Sequence, residues 1–350
     1  MAEKVRWSVI GSCGIAKRRT IPEGIMAAGN AELVSVYDLD ADANARLAAE
    51  SGVEAARSQE ELLAAPADAV YVATPAHMHH DHVLACVQAG RHVLCEKPLG
   101  LSSSEIREMI SACRKAGLRL GVGFMMRFNV YHQKLRDWIG EGKLGIPVLA
   151  RGQMTCWYPP IEGAWRQIPE LGGGGALLDM GSHAVDVLEM LLGRTRSVFC
   201  RCTNLVHPYP VEDTALLMLE FESGACGTVE ASFAVPDEAS EFVLEVYGSR
   251  GAVKGKYSLG QAPGGKMQAC LLGGAGEYDA QQDVVEKRGF EPFELETRNT
   301  YLAEIQEFSQ AILDGRQAPV PGEDGLWNHA VIEAAYESAR TGKPVEPQME

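Results

Sequence analysis

The chain has no excess of basic residues, no long apolar run and no paired set of cysteines, and each absence excludes a class of protein. It has 350 residues with 47 acidic and 32 basic side chains, and therefore a formal net charge of −15. A surface of this sign repels nucleic acid and anionic membranes, so we expect neither as a partner. No run of 18 apolar residues occurs, and the opening MAEKVRWSV has no signal-peptide pattern. The nine cysteines are odd in number and scattered, which favours a reducing, cytoplasmic location.

The sequence also lacks internal repeats and long low-complexity tracts. With 46% hydrophobic and 23% charged residues, its composition is that of an ordinary globular protein. A length of 350 residues is large for one hydrophobic core, which favours two domains. The most biased stretch is the glycine-rich segment 260–276, which predicts an exposed loop.

What is present in residues 1–124 is an alternation of short apolar runs with helix-forming stretches. The strand-like runs are VRWSVIG, LVSVYD, ADAVYVATP, HVLCE and RLGVGF. Strands of about five residues alternating with helices predict crossover connections and a parallel sheet buried on both faces. Ser102 followed by Glu105 predicts a capping box at the start of the last helix in this series.

The first of these strands runs into the glycine-rich turn GSCGIA, where a dinucleotide pyrophosphate is expected. The turn departs from the G-x-G-x-x-G/A pattern, because Cys13 occupies the second glycine position and Gly14 comes one place late. The predicted cofactor-binding residues of this turn are Gly11, Ser12, Cys13, Gly14, Ile15 and Ala16.

Asp38 ends the second strand-like run. A carboxylate at this place accepts the adenosine ribose hydroxyls and repels a 2′-phosphate, so NAD is favoured over NADP. The alternative is a solvated residue at a strand end.

The histidine-rich segment ATPAHMHHDH, residues 73–82, raises the possibility of a metal site. The spacing of His79, Asp81 and His82 does not suit tetrahedral coordination and no thiolate lies nearby, so no metal is predicted. Instead, the backbone of Thr74 and Pro75 is expected to line the cofactor, with His79 near the first turn of the following helix.

Charged residues follow an apolar strand directly in AGRHVLCEKPLG. Glu96 and Lys97 are thereby placed at the carboxyl edge of the predicted parallel sheet, where ligands bind in such folds. A lysine at a strand end is either a solvated surface residue or a charge held in a binding site. We predict that Glu96 and Lys97 lie at the cofactor.

A second group of candidate catalytic residues lies in LGGGGALLDMGSHAVDVLEMLLG, where glycines precede an amphipathic helix. Asp179 and His183 are four residues apart and Asp186 follows three later, so all lie on or near one helical face. Acidic groups beside an imidazole fix its tautomer and stabilise its protonated form, which suits a general base. The alternative is a surface ion pair or a core histidine. Beyond residue 195, strand-like runs predict one broad open sheet.

Taken in order, these segments resemble the Gfo/Idh/MocA oxidoreductases, the group of glucose–fructose oxidoreductase and inositol dehydrogenase. The motifs that carry the resemblance are GSCGIA, TPAHMH, AGRHVLCEKP, GFMMRFN, GGGALLDMGSHAVD and the closing EDGLWNHAVIEAAYESARTGKPV. The resemblance implies an NAD-binding Rossmann domain over 1–124 and an α+β domain over 125–350. The second domain would contain a large, open, mostly antiparallel sheet that commonly forms subunit interfaces, so we expect a homo-oligomer. A helical segment at about 298–341 would pack back toward the Rossmann domain.

By matching position, the resemblance makes Lys97 the active-site lysine, with Asp179 and His183 as further catalytic or substrate-binding residues. We expect His183 to act as the base and Lys97 as the cation facing the developing alkoxide, although these two roles are interchangeable at this stage. Asp179 would orient the pair or bind a neighbouring hydroxyl. The predicted substrate-side residues, each with core packing or another structural role as the alternative, are Arg127, Asn129, Trp157, Tyr158, Trp165 and Arg166.

These features predict a cytoplasmic, NAD-dependent oxidoreductase that acts on a ring hydroxyl of a sugar, glycoside or cyclic polyol, for example C3 of a glucoside. One alternative is a glycosidase that oxidises C3 transiently and then eliminates the aglycone. The other is a nucleotide-sensing protein without turnover.

Overall fold

A six-stranded parallel sheet forms the first half of the molecule, as the alternating pattern predicts. The computed structural model describes residues 3–274, 280 and 289–349. The strand order is β3-β2-β1-β4-β5-β6, and every neighbouring pair in this sheet is parallel. Strands β1 to β6 are, in chain order, Val5–Ile10, Ala31–Tyr37, Glu54–Ala55, Ala69–Val72, His92–Cys95 and Leu120–Val122.

Helices follow these strands. Helices α1 to α5 are Ser12–Ile25, Ala41–Ser51, Gln59–Ala64, His79–Gln88 and Ser103–Lys115. Helix α5 begins where Ser102 Oγ accepts the Glu105 N–H at 3.3 Å. Glu105 reaches back to the Leu101 N–H at 2.9 Å, one residue earlier than the predicted capping box requires. Helix α1 has wide, π-type hydrogen bonding and an interior kink at Gly14 (φ −87°, ψ −124°).

The second half is built on a sheet of eight strands in the order β14-β13-β12-β11-β7-β10-β9-β8. Its pairs are antiparallel except for β7 with β10, which confirms a large, mostly antiparallel sheet. Strands β7 to β14 are, in chain order, Pro147–Thr155, Thr195–Thr203, Thr214–Phe221, Cys226–Ser232, Leu244–Gly248, Gly251–Lys256, Lys266–Leu271 and Glu291–Phe293.

The loop predicted for 260–276 is partly wrong, because β13 lies inside this segment. Its sequence KMQACL has no β-branched residue, so it gives little local sign of a strand. It is ordered instead by backbone pairing with β12 on one side and β14 on the other. Residues 275 and 276 lie outside the described residues.

The helices of the second half cover one face of this sheet or return to the first. Helices α6 to α10 are Val130–Gly140, Pro169–Gly172, Ser182–Leu192, Thr300–Leu313 and Gly322–Thr341. Helix α8 continues from a π-helical turn, Leu177–Gly181. It packs closely on β7, since a Cβ at Gly152 would lie 3.2 Å from that of Ala184.

Helices α9 and α10 belong to the last part of the chain but lie against the first sheet. Trp7 on β1 donates its indole N–H to Ser309 Oγ at 3.1 Å, and its ring centroid is 5.6 Å from that of Phe308. At the β6 edge of the sheet, Val122 N–H donates to Val320 O, just before α10, at 3.0 Å. The carboxyl edge of the first sheet and the covered face of the second therefore border a common cleft. None of the described helices has the length and hydropathy needed to cross a bilayer.

Candidate active site

A cavity of about 980 Å³ lies in this cleft, between the carboxyl ends of the parallel strands and the second sheet. A cleft at this edge is where doubly wound sheets bind ligands. Both sets of predicted residues contribute to it. The first sheet supplies Gly11, Asp38 and Lys97, and the second half supplies Arg166, Asp179 and His183.

The turn after β1 has the conformation that a bound dinucleotide needs. Gly11 has φ +79°, and a Cβ there would lie 2.6 Å from the carbonyl carbon of Ala73, so only glycine fits. At Gly14 no atom lies within 4 Å of the Cβ position, so the turn leaves open space at the cavity. Cys13 and Ile15 also line the cavity. This glycine-lined turn at a helix start fits the pyrophosphate of NAD.

Asp38 is held at the end of β2 by two backbone N–H groups. Its Oδ2 accepts from Cys13 at 2.8 Å and its Oδ1 accepts from Asp40 at 3.1 Å. The carboxylate lines the cavity, where it is placed to accept ribose hydroxyls. Thr74 and Pro75 line the same part of the cavity.

Three of the predicted cofactor contacts do not line the cavity. Ser12 is buried and donates its hydroxyl to Asn44 Oδ1 at 2.8 Å, while Ala16 is buried in the core beneath the turn. His79 is also buried and lies 2.8 Å from both Pro98 O and Thr74 O. His79 therefore lies between two loops that border the site. Burial lowers the pKa of its ring to about 4, so the neutral ring donates to one of these two carbonyl oxygens.

The Lys97 side chain is a charge held in the site and not a solvated surface residue. Its Nζ donates to Asp179 Oδ1 at 2.7 Å, and its side chain is 9% exposed. Arg166 Nε donates to the same carboxylate oxygen at 3.0 Å. Burial opposes the ionisation of Asp179, but the charges of Lys97 and Arg166 outweigh it and lower the pKa of Asp179 below its ordinary value. Asp179 is therefore ionised and shared between two cations.

Glu96 lines the cavity beside Lys97. Its carboxylate accepts hydrogen bonds from the Tyr71 hydroxyl and, at 3.2 Å, from the Lys97 N–H. Burial raises the pKa of Glu96, although these contacts oppose the shift. The peptide between Lys97 and Pro98 is cis.

His183 lines the cavity one helical turn beyond Asp179, and no acidic side chain among the described residues forms an ion pair with it. Its ring packs edge-on against Phe124 with centroids 5.8 Å apart, and no described residue hydrogen-bonds its Nδ1. Burial and the charge of Lys97 lower the pKa of His183 well below 6.5. Asp179 favours the protonated ring, as expected, but burial and the charge of Lys97 outweigh its effect. The imidazole is neutral at pH 7 and free to accept a proton.

Asp186 and Arg127 form a structural pair outside the cavity. Arg127 donates to Asp186 Oδ1 at 2.7 Å and to Asp324 Oδ2 at 2.6 Å, which joins α8 to α10. The predicted contact of Arg127 with substrate is thereby replaced by a structural role. Asn129 also has a structural role in place of the predicted substrate contact, since it is buried and caps α6 by accepting the Tyr131 N–H at 2.9 Å.

The predicted aromatic residues divide between the cavity and its surroundings. Trp165 lines the cavity and lies beneath Arg166, whose guanidinium carbon is 4.2 Å from a ring centroid of the indole. Trp157 is 45% exposed and packs on His207, and Tyr158 packs on Phe233. Neither Trp157 nor Tyr158 lines the cavity.

The glycine run before α8 is explained by close contacts. A Cβ at Gly174 would lie 2.0 Å from the Tyr336 hydroxyl oxygen, and one at Gly175 would lie 2.0 Å from Glu212 O. The Glu212 carboxylate accepts the N–H groups of Gly175 at 3.0 Å and Leu177 at 2.9 Å. It thereby fixes the start of the helical segment that carries Asp179 and His183.

Sequence reasoning missed the apolar lining of the cavity. The missed residues include Met125, Met126, Met154, Met180, Phe242 and Tyr301. They come from separate elements and form no local motif. Met125 and Met126 lie in the quoted segment GFMMRFN, and Met180 lies in GGGALLDMGSHAVD. Within 3–274, 280 and 289–349, no three His, Cys, Asp or Glu side chains are grouped so as to hold a metal ion.

Comparison with known proteins extends these observations to the whole chain. Residues 5–124 match the model of the oxidoreductase family's NAD-binding Rossmann fold, and residues 136–346 match that of its C-terminal alpha/beta domain. The chain is 32% identical over 345 residues to 1,5-anhydro-D-fructose reductase of Ensifer adhaerens, covering 97% of this chain and 98% of that protein. It is 30% identical to myo-inositol 2-dehydrogenase of Thermotoga maritima, covering 90% and 91%. The WlbA dehydrogenase of Bordetella pertussis, solved with NADH and UDP-GlcNAcA, superposes with a TM-score of 0.83 at 25% identity, covering 100% of this chain and 99% of that one.

Proposed function

The chain belongs to the Gfo/Idh/MocA family of NAD(P)-binding oxidoreductases, and from this premise we propose that it oxidises a ring hydroxyl of a sugar, glycoside or cyclic polyol. The reductase of Ensifer adhaerens and the inositol dehydrogenase of Thermotoga maritima act, by their names, on substrates of this kind. The observation that carries the proposal is the convergence of Lys97, Asp179, Arg166 and His183 on one cavity with the glycine turn and Asp38.

Oxidation of a secondary alcohol removes a hydride from carbon and a proton from oxygen, and it leaves a ketone. When bound, the nicotinamide supplies the acceptor for the hydride. His183 takes the proton, because its neutral imidazole lines the cavity together with Lys97. Burial and Lys97 lower its pKa and weaken it as a base, so the proton transfer depends on Lys97 stabilising the developing alkoxide. The imidazolium that forms returns the proton to solvent before the next turnover.

Lys97 opposes the negative charge that develops on the reacting oxygen. Its ammonium nitrogen is 2.7 Å from Asp179 Oδ1, so the charge is positioned before substrate binds. Arg166 completes the arrangement, because its bond to Asp179 at 3.0 Å leaves the rest of its guanidinium to bind a neighbouring hydroxyl. These assignments give the base and the cation distinct roles, with His183 as the base.

The first test replaces Lys97 with methionine, which has a similar shape and no charge. We expect Lys97→Met to lower kcat about 10²- to 10³-fold, because one stabilising group for the developing charge is lost. NAD affinity, followed by titration of protein fluorescence, should change little. The exposed lysine on α5 provides the control, and Lys115→Met should keep the parent rate. A Lys97→Met enzyme within a few-fold of the parent would remove Lys97 from the chemistry.

Product analysis separates the alternatives. The oxidoreductase yields one ketone and one NADH for each substrate consumed. A glycosidase working by transient C3 oxidation would release aglycone without net NADH. A nucleotide-sensing protein would bind NAD and turn over no alcohol.

A further inference from the structure

The second sheet contributes an apolar wall to the cavity that holds Lys97. This wall consists of Met154, Met180 and Phe242. Met154 lies near the end of β7, and Phe242 lies two residues before β11. The two are close across the strand pair, because the N–H of Gln153 donates to Val243 O at 2.8 Å. Met180 lies in the π-helical turn before α8.

The backbone at the apolar wall is strained. Phe242 has φ +47°, a left-handed conformation that residues with a Cβ seldom adopt. Tyr257 has φ +61° and donates its N–H to Glu241 O at 2.7 Å, so two left-handed aromatic residues meet across neighbouring strands. Such strain persists where the surroundings impose it, and it is concentrated at ligand sites. Of the pair, Phe242 lines the cavity, whereas Tyr257 is 40% exposed and does not.

The polar groups that would bind hydroxyls are those of Lys97, Arg166, Asp179 and His183, and they line the same cavity as the apolar wall. They suit one edge of a substrate ring. A polyol with hydroxyls on every carbon would also press some of them against the apolar wall, where they lose water without gaining a partner. Methionine thioethers are weak acceptors and do not replace that water.

We infer that the apolar wall receives an apolar substituent of the substrate, so that the preferred substrates are glycosides with an alkyl or aryl aglycone. This inference rests on the proposed function and narrows its substrate class. Burial of an aglycone against Phe242 and the methionines removes apolar surface from water. The flexible methionines also adapt to aglycones of different shape.

The test compares the kcat/KM values of the NAD-loaded protein for methyl, n-hexyl and phenyl β-D-glucopyranoside and for myo-inositol. Each of the first methylene groups to be buried should raise kcat/KM about fourfold. The hexyl glucoside should therefore exceed the methyl glucoside by at least about tenfold, and myo-inositol should be the poorest substrate.

Two matched variants locate the effect. Asparagine tolerates the left-handed conformation, so Phe242→Asn and Tyr257→Asn both relieve strain, but only the first removes part of the wall. Phe242→Asn should reduce the hexyl-to-methyl ratio to within about threefold, whereas Tyr257→Asn should keep the parent ratio. Met154→Gln should reduce the ratio in the same direction and does not depend on the strained position.

Equal rates for the methyl and hexyl glucosides would overturn the inference and leave the proposed function standing. A hexyl preference that survives both Phe242→Asn and Met154→Gln would also overturn it. If the parent reduces NAD with no alcohol, the proposed function fails and the inference fails with it.

Discussion

At the residue scale, Asp38 shows how a single side chain is prepared for its ligand. Two backbone N–H groups, from Cys13 and Asp40, hold its carboxylate at the end of β2. Cys13 occupies the position where the usual turn has glycine, yet its N–H still serves to fix the carboxylate. A negative charge fixed here favours the ribose hydroxyls of NAD and repels the 2′-phosphate of NADP.

We predict that the parent binds NAD at least about tenfold more tightly than NADP, a difference of about 1.4 kcal/mol. Asp38→Asn removes the charge but keeps an oxygen that can accept the Cys13 N–H. It should bring the two affinities within about threefold of each other, mainly because NADP binds more tightly. Competitive titration against bound NADH measures both affinities without turnover. Asp42→Asn, an exposed change in the first turn of α2, should leave the preference as it was. A parent that binds both cofactors equally would refute the role of Asp38.

The residues that the sequence revealed are those carried by contiguous motifs. Lys97 follows a buried strand directly, and Asp179 and His183 share one helical segment, so local patterns predict the element that carries each. Their meeting in one site was predicted from the family resemblance, because Lys97 and Asp179 are 82 positions apart. Arg127 could not be assigned in this way, because its partners Asp186 and Asp324 are 59 and 197 positions away. Phe242 was missed for the same reason, since its neighbour Met154 comes from another strand.

At the element scale, α9 packs against the first sheet and brings a carboxyl group, that of Glu304, into the core. Glu304 is 2% exposed, and no described residue hydrogen-bonds either of its carboxyl oxygens. Burial, and then the nearby charge of Glu96, raise the pKa of Glu304 well above 4.5. The folded state therefore holds this proton more tightly than the unfolded state does. The resulting loss of stability begins above pH 4.5 and grows as the pH rises toward the folded pKa.

We predict that Glu304→Met stabilises the protein at pH 7 by about 1–3 kcal/mol, because an unpaired buried polar group is removed. The gain should shrink as the pH falls to 4.5 and below, where Glu304 becomes protonated in the unfolded state as well. Thermal melting across this pH range measures the difference. Glu307→Met, a half-buried position on the same helix, is the control and should show no comparable trend. A gain that is constant with pH would indicate improved packing and not relief of a buried acid.

The parallel sheet was predictable from the alternation of strand-like and helix-forming segments. Its strands are buried on both faces of the sheet and therefore appear in the sequence as short, continuous apolar runs. Strands β13 and β14 were not predictable. These two strands are formed by backbone pairing of β13 with β12 and of β14 with β13. Backbone pairing places few requirements on side-chain type, so the sequence does not reveal it.

At the scale of the whole molecule, the eight-stranded sheet has one covered face and one open face. Helix α8 packs on the covered face, while the open face exposes Leu149, Leu216 and Met218 at 55%, 48% and 60%. Leu216 and Met218 alternate with buried residues along β9, so both point away from the core. Arg151 and Glu230 form an ion pair at 2.7 Å close to these side chains on the neighbouring strands. An apolar face with paired charges among its side chains suits a second copy of the chain related by a two-fold axis.

We therefore predict a homo-oligomer joined through this open face, with a solution mass at least twice the 37.8 kDa of one chain. Met218→Glu places a charge at the centre of the exposed apolar side chains, where burial in an interface would be costly, and it should yield monomers. Leu205→Glu is the matched control, because Leu205 is 83% exposed but lies in the loop after β8 and not on the sheet. Light scattering after gel filtration gives the mass of each variant, and thermal melting confirms that each one folds. A parent of single-chain mass, or a Met218→Glu variant with the parent's mass, would show that the open face is not the interface.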